Sequence, residues 1–197
     1  MQKKSPLFRN RSLAAITIAL ASVTFAGCTT TMPDRDASAS SSRNEINAGA
    51  DATLSKLYQT APASRDLVAR AKGVLIFPAV LQAGFVVGAE YGKGVLRVGN
   101  RTEGYYSTTA GSIGFQAGAQ SKAIVVLFMT QDSLDKFRHS EGYTVGADAT
   151  VALANIGANG NIDSNTVQQP IIGFVTTNGG LIAGVSLQGA KISKISL

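Results

Sequence analysis

The sequence predicts an α+β domain. Its centre is a large, strongly curved, mostly antiparallel sheet, sandwich or barrel-like, with two N-terminal helices and one short inserted helix. Three observations predict this. Apolar residues recur at helical spacing in only two places, between Asn44 and Lys72 and again just after Thr130. From Gly73 onward they alternate in twos or form short continuous runs, the signature of strands. Twenty-one glycines, many inside those strand patterns, mark bulges, bends or close backbone approaches, the devices by which a sheet curves.

The first 27 residues read as an export signal rather than as part of the fold. Lys3, Lys4, Arg9 and Arg11 form a basic start, and Leu13 to Phe25 is an uncharged stretch too short to span a bilayer comfortably. Phe25-Ala26-Gly27-Cys28 then resembles a bacterial lipobox. In that family of signals cleavage precedes the cysteine, whose sulfur and new amine take acyl chains. Phe25 departs from the usual leucine. The alternative is ordinary secretory cleavage, which leaves Cys28 as a free thiol. Cys28 is the chain's only cysteine. Acylated, it forms no disulfide, and two or more acyl chains give stable anchoring. Thr29 follows it, and by the same resemblance the absence of Asp there implies a lipid-anchored, periplasm-facing protein of the bacterial outer membrane.

The export signal also explains the charge. The whole chain is +6. Of its 18 Lys and Arg, four precede Cys28, which leaves fourteen against twelve acidic residues, a net +2. The high pI is therefore poor support for nucleic-acid binding, and with no Trp and few aromatics outside strands there is no stacking platform for single strands.

Thr29 to Arg43, TTTMPDRDASASSSR, is Ser/Thr-rich and reads as a disordered tether, so residues 28–43 link the lipid to a domain spanning 44–197. Its root-mean-square reach is about 20 Å. From Asn44, Ile46, Ala50, Leu54, Leu57 and Tyr58 form one helical face. Pro62 breaks it, and Ser64 can cap a second helix carrying Leu67, Val68 and Ala71, with Arg65, Arg70 and Lys72 on its exposed side.

Val74 to Phe77 opens the β region. Phe85, Val87, Ala89 and Tyr91 share one face of the next strand, and Gly92-Lys93-Gly94 reads as a tight hairpin turn before a partner strand Val95 to Val98. Ala123 to Met129, apolar throughout, predicts a central strand. Thr130 can cap a helix through His139, with Asp132 in its first turn and Lys136 and Arg138 in its last. Tyr143 to Leu153 alternates again. Asn155 to Gln169 is a Gly/Asn-rich loop, and two or three strands follow, punctuated by Gly179, Gly180, Gly184 and Gly189.

Several chemical motifs fail on spacing. Gly88 lies too close to Gly92 for a P-loop, and Gly94 stands where its hydroxyl belongs. Ala110-Gly111-Ser112-Ile113-Gly114 has the spacing of a hydrolase nucleophile elbow, with Asp132, Asp135 and His139 following in triad order. The elbow must end a strand and open a helix, and FQAGAQ has no helical period. Asn159 to Asp163 lacks the glycine and glutamate of a Ca²⁺ loop, and one His with one acylated Cys excludes a conventional zinc site. The sequence predicts no enzyme and no cofactor.

Taken in order, KGVLIF from Lys72, GFVVGAEYGKGVL, GSIGFQAGAQ, the apolar strand with DSLDKF, GADATVA and GLIAGVSLQGA resemble the lipid-binding SYLF domain family, over roughly Ile46 to Ile195. The resemblance implies a module for membrane lipids. Eukaryotic members are associated with phosphoinositides and actin. What it implies here is a fold that receives anionic lipid headgroups or a similar amphiphile. The family's basic positions correspond to Lys72 and Lys93; charge and proximity add Arg97 and Arg70. Lys93 is expected at an exposed tip, where a point charge meets a phosphate. The alternative is an envelope scaffold that binds another protein, with Cys28 as its only membrane contact.

Overall fold

The computed structural model describes residues 35–99, 101–154, 162–177, 180–182 and 185–197, with side chains at 85, 86 and 112–119 outside the description. These residues belong to one compact unit, Pro33–Leu197. The export signal, Cys28 and Thr29–Asp34 lie outside the described residues.

Two helices come first, α1 (Arg35–Thr60) and α2 (Ser64–Arg70). Ile46, Ala50, Thr53 and Leu57 are the buried stripe of α1. The tether expectation is corrected over Arg35–Arg43, which is helical. Composition cannot reveal this, because the stretch buries little. The packed part of α1 nucleates the helix, each further residue then adds one hydrogen bond, and Asp36 in the first turn suits the helix dipole. Arg43 also donates from Nη1 to the Leu197 carbonyl, holding this part of the helix to the C-terminus. The expected Ser64 cap is corrected too. Ala63 is the N-cap, and the buried Ser64 hydroxyl donates 2.6 Å back to the Ala61 carbonyl.

Next come two very long strands, β1 (Gly73–Val98) and β2 (Arg101–Phe128), paired antiparallel from Gly73↔Phe128 to Val98↔Arg101. The turn between them is at Gly99, with φ +58°. Gly92-Lys93-Gly94 is therefore not a turn. It lies within β1, opposite Thr108, Ser107 and Tyr106. Its glycines answer to a close approach. A Cβ on Gly94 would sit 2.4 Å from the Ile76 carbonyl oxygen and 2.5 Å from the Phe77 ring, and one on Gly92 would sit 2.8 Å from the Ala79 oxygen. The β1–β2 ribbon thus folds back on itself, so that residues 92–94 lie against residues 76–80. The bend falls near Gly84, where a Cβ would strike the Gly88 backbone at 2.3 Å and the pairing register shifts.

The remaining elements are α3 (Gln131–His139), β3 (Tyr143–Thr144), β4 (Ala152–Leu153), α4 (Ser164–Val167), β5 (Ile171–Thr177), β6 (Gly180–Leu181) and β7 (Lys191–Ile195). All seven strands form one sheet in which β2 pairs with β1, β5 and β7. Only β4–β5 among its strand pairs is parallel. This is the α+β, strongly curled, mostly antiparallel fold that the sequence predicts. Ala123 to Phe128 is central, between β1 and β5. Thr130 caps α3 by accepting from the Ser133 N–H at 3.2 Å.

One expected strand is absent. Tyr143 to Leu153 extends only at its two ends. Gly146 takes φ +93°, and the Asp148 carboxylate accepts from the Thr144 N–H at 2.6 Å, which turns the chain. One turn of helix, α4, also interrupts the loop expected at Asn155–Gln169; residues 155–161, which hold most of the Ca²⁺-like motif, lie outside the described residues.

The sheet has two apolar faces. The inner one carries Leu75, Phe77, Leu96, Tyr106, Ile124, Val126 and Phe128, and is closed by Leu134 and Phe137 of α3. Phe137 meets Tyr106, Phe128 and Tyr143 at ring distances of 5.0, 4.8 and 5.2 Å. The outer face, with Val74, Ile76, Val95, Val125, Leu127, Ile172 and Phe174, is covered by α1 and α2.

Two outcomes are expected from this packing. Gly94→Ala should cost several kcal/mol, because backbone and a packed ring must both move, whereas Gly111→Ala, with open space around it, should stay within about 0.5 kcal/mol; urea melts compare them. Tyr143 is buried with its hydroxyl unpartnered. Burial, and behind it the Asp148 carboxylate, push its phenol up to about 12, above 10.0 in the unfolded chain. The folded state holds that proton more tightly, so this contribution is complete below pH 10 and is lost as pH rises toward 12. Tyr143→Phe should raise stability by about 1 kcal/mol at neutral pH and remove that part of the alkaline loss, as melts between pH 7 and 12 would read.

Candidate functional site, a basic cleft between the helices and the hairpin turn

A cleft of about 540 Å³ opens where α1, α2 and the Gly99 turn meet. Asn47, Leu54 and Tyr58 of α1 form one wall, Val68, Ala69 and Ala71 a second, and Val74, Arg97, Gly99 and Thr102 the third. Helical spacing puts Asn47, Leu54 and Tyr58 on one flank of α1, beside the buried stripe that docks it on the sheet. The cleft is thus a by-product of laying a helix across a curved strand pair.

Hydrogen bonds converge on Asn47. Its amide donates to the Tyr105 hydroxyl at 2.9 Å, its side-chain oxygen accepts from Thr102 at 3.4 Å, and its carbonyl accepts from Arg97 Nη2 at 3.3 Å. Arg97 also pairs through Nη1 with Asp51 on the next turn of α1. The Arg97 side chain is mostly covered and the Asp51 carboxylate largely exposed. The Arg65 guanidinium lies over the Tyr58 ring, 4.6 Å from its centre. Burial pushes the Tyr58 phenol up, while Arg65 and Arg97 pull it down, which places both cations in its field.

Of the four residues expected from the sequence, Arg97 lines the cleft. Arg70 and Lys72 are exposed and stand on either side of the wall residue Ala71 in sequence, but neither is among the lining residues. Arg70 Nε donates to the Asp66 carbonyl at 3.2 Å within α2, and the Lys72 N–H donates to the Phe128 carbonyl at 2.8 Å, so each is held by its backbone surroundings. Lys93 is half-buried in mid-strand rather than on an exposed tip, because Gly92 and Gly94 on either side turn toward the first half of β1. Sequence reasoning placed Arg65 on the exposed side of α2 but not among the site residues. It also missed Tyr58 and Asn47 as walls. No local signal marks them, since the partners of Asn47 lie about 50 residues on.

The charged side chain lining the cleft is Arg97, which Asp51 partly neutralises. Among the described residues no three metal-ligating side chains meet, and no helix is long and apolar enough to cross a membrane. The Ser112 elbow is not formed, because β2 runs on through Ser112 to Phe128 without opening a helix. His139 is exposed on α3, its Nδ1 2.7 Å from the Asp135 carbonyl oxygen.

Comparison with known proteins bears on this fold. Residues 109–196 match the family model Ysc84, described as Las17-binding protein actin regulator. Among curated proteins the chain is 29% identical over 132 residues to SH3 domain-containing YSC84-like protein 1 of Homo sapiens, covering 63% of this chain and 37% of that protein. The same protein of Bos taurus is 27% identical over 132 residues, covering 63% and 38%. That of Mus musculus is 26% identical over the same shares. The chain therefore spans less than two fifths of the length of these relatives. The family match and these relatives are similarities over part of the chain, and they agree with the resemblance of its sequence blocks to the SYLF domain family.

Proposed function

We propose that this domain binds anionic lipid headgroups, or an amphiphile with similar charge, at the cleft between α1, α2 and the Gly99 turn, while Cys28 anchors the chain in the bacterial outer membrane. The observation that supports the reading best is Arg97 in the wall of an open cleft beside Tyr58, whose ring lies under the Arg65 guanidinium, with the exposed Arg70 and Lys72 next in sequence to the wall residue Ala71. Arg97 is partly neutralised by Asp51. The exposed Arg70 and Lys72 are the free charges, each worth about 1 kcal/mol beside an anionic surface. So weak a contribution matters once the domain is already held at the bilayer. Cys28 precedes α1 by seven residues, at most about 25 Å of extended chain. No acyl transfer, hydrolysis or redox step is assigned to the site.

A second reading, a scaffold for a protein partner, is favoured by the family's description as binding Las17 and regulating actin. Headgroup dependence separates the two. Soluble Pro33–Leu197 should float with vesicles containing anionic lipid and not with neutral ones, and binding should weaken as salt rises. Arg70→Gln with Lys72→Gln should weaken it about thirtyfold without moving the melting temperature. Asp51→Asn removes a carboxylate from the rim and should act the other way, strengthening binding to anionic vesicles several-fold. Equal binding to both vesicle types, or none, would overturn the headgroup reading.

A further inference from the structure

Beyond the part covered by α1, the folded β1–β2 ribbon continues as an arm, roughly residues 81–91 of β1 and 109–122 of β2. Described side chains of β1 on its outer side are exposed. Leu81, Val87 and Tyr91 are 60, 67 and 48% exposed, and Ala83 and Ala89 between them are exposed as well. These are the exposed large hydrophobic side chains among the described residues; alternation puts Val87, Ala89 and Tyr91 on one side of the second half of β1, while Leu81 and Ala83 lie before the bend, on the first half. Scattered apolar exposure is ordinary; a stripe confined to one face of one element is not.

The arm also presents no charge. Across both stretches the charged residues are Glu90 and Lys122. They belong to opposite halves of the folded ribbon, since Glu90 pairs with Ala110 and Lys122 with Val80. The Lys122 ammonium lies 2.8 Å from both Glu90 carboxylate oxygens, and the two side chains are only 12 and 11% exposed. Each cancels the other, so nothing charged remains to be desolvated when the outer face meets an apolar medium.

Along β1 the outer face grades from apolar to aromatic to basic. Val87 and Ala89 lead, Tyr91 follows, then Lys93, then Val95 buried under α1, then Arg97 at the cleft. Tyr91 and Lys93 are about 7 Å apart at strand rise, the scale of one headgroup layer. Tyrosine favours the membrane–water interface and lysine the phosphate level above it. From this we infer that the outer face of the arm is a membrane-insertion surface. Val87 and Ala89 enter the acyl boundary, Tyr91 sits at the interface, and Lys93 and the cleft meet headgroups. The inference rests on the membrane-lipid reading above, and it assigns Lys93 a place in that reading although it stands apart from the cleft.

The chain has no Trp, so one introduced indole reports without background. Pro33–Leu197 carrying Val87→Trp, and a control carrying Glu141→Trp in the exposed α3–β3 connection, would be mixed with anionic vesicles, with and without lipids brominated on the acyl chain. Expected are a blue shift and bromine quenching of the indole at 87 and neither at 141. Val87→Glu should lower vesicle binding about tenfold while leaving the melting temperature unchanged. Flotation with the indole at 87 still solvent-like would overturn the insertion surface and leave the headgroup site standing. Absence of flotation in the parent would overturn both. A blue shift without vesicles, together with a doubled mass in sedimentation, would assign the face to a second copy of the chain and overturn insertion.

Discussion

Everything in this domain depends on a backbone-to-backbone contact that only glycine permits. Gly92 and Gly94 lie against Ile76 to Val80 so closely that a single methyl group on either would collide with a carbonyl oxygen. That approach lets a ribbon of two strands, each longer than 25 residues, fold onto itself instead of extending as a flat pair. A flat ribbon would have two solvent-facing sides and no core. Folded, it has an inside, which α3 closes with Leu134 and Phe137, and an outside, which α1 and α2 cover in part.

The cleft and the exposed arm sit where that covering stops. On the side toward the Gly99 turn, α1 and α2 diverge over the curved strands and leave the basic cleft. Toward the Gly84 bend the helices do not reach, and the ribbon's outer face stays open as an apolar arm. Charges are disposed accordingly. Those in the arm are matched across the fold, Glu90 with Lys122, and both side chains of that pair are largely covered, whereas at the cleft Arg97 pairs with a largely exposed Asp51. One strand therefore carries an apolar segment and, a few residues further, the arginine that lines the cleft. Both features keep a fixed separation because they share one backbone.

Legibility followed the range of the interactions. The α3 cap was readable because Thr130 and Ser133 are three residues apart. The central strand at Ala123 to Phe128 was readable because burial on both faces leaves no polar position. The Gly92-Lys93-Gly94 turn was misread because a glycine pair signals either positive φ or close approach, and sequence alone does not separate them. The true turn at Gly99 was overlooked for the same reason. Arg35 to Arg43 looked like tether because its helicity is propagated from the docked part of α1 rather than stored in its own side chains.

The sequence by itself determined the α+β class, the curvature of the sheet, the family resemblance and the set of cations from which a site could be drawn. These follow from periodicity, glycine content and ordered local blocks, all of which are one-dimensional. Only the tertiary structure decided that Arg97 lines a cleft while Lys93 does not, that Asp51 tempers Arg97, and that Leu81, Val87 and Tyr91 stay exposed. The reason is physical. Where a side chain on a strand faces is set by alternation, but whether that face meets solvent or a helix depends on where the ribbon bends. The bend is fixed by contacts between residues more than a dozen positions apart.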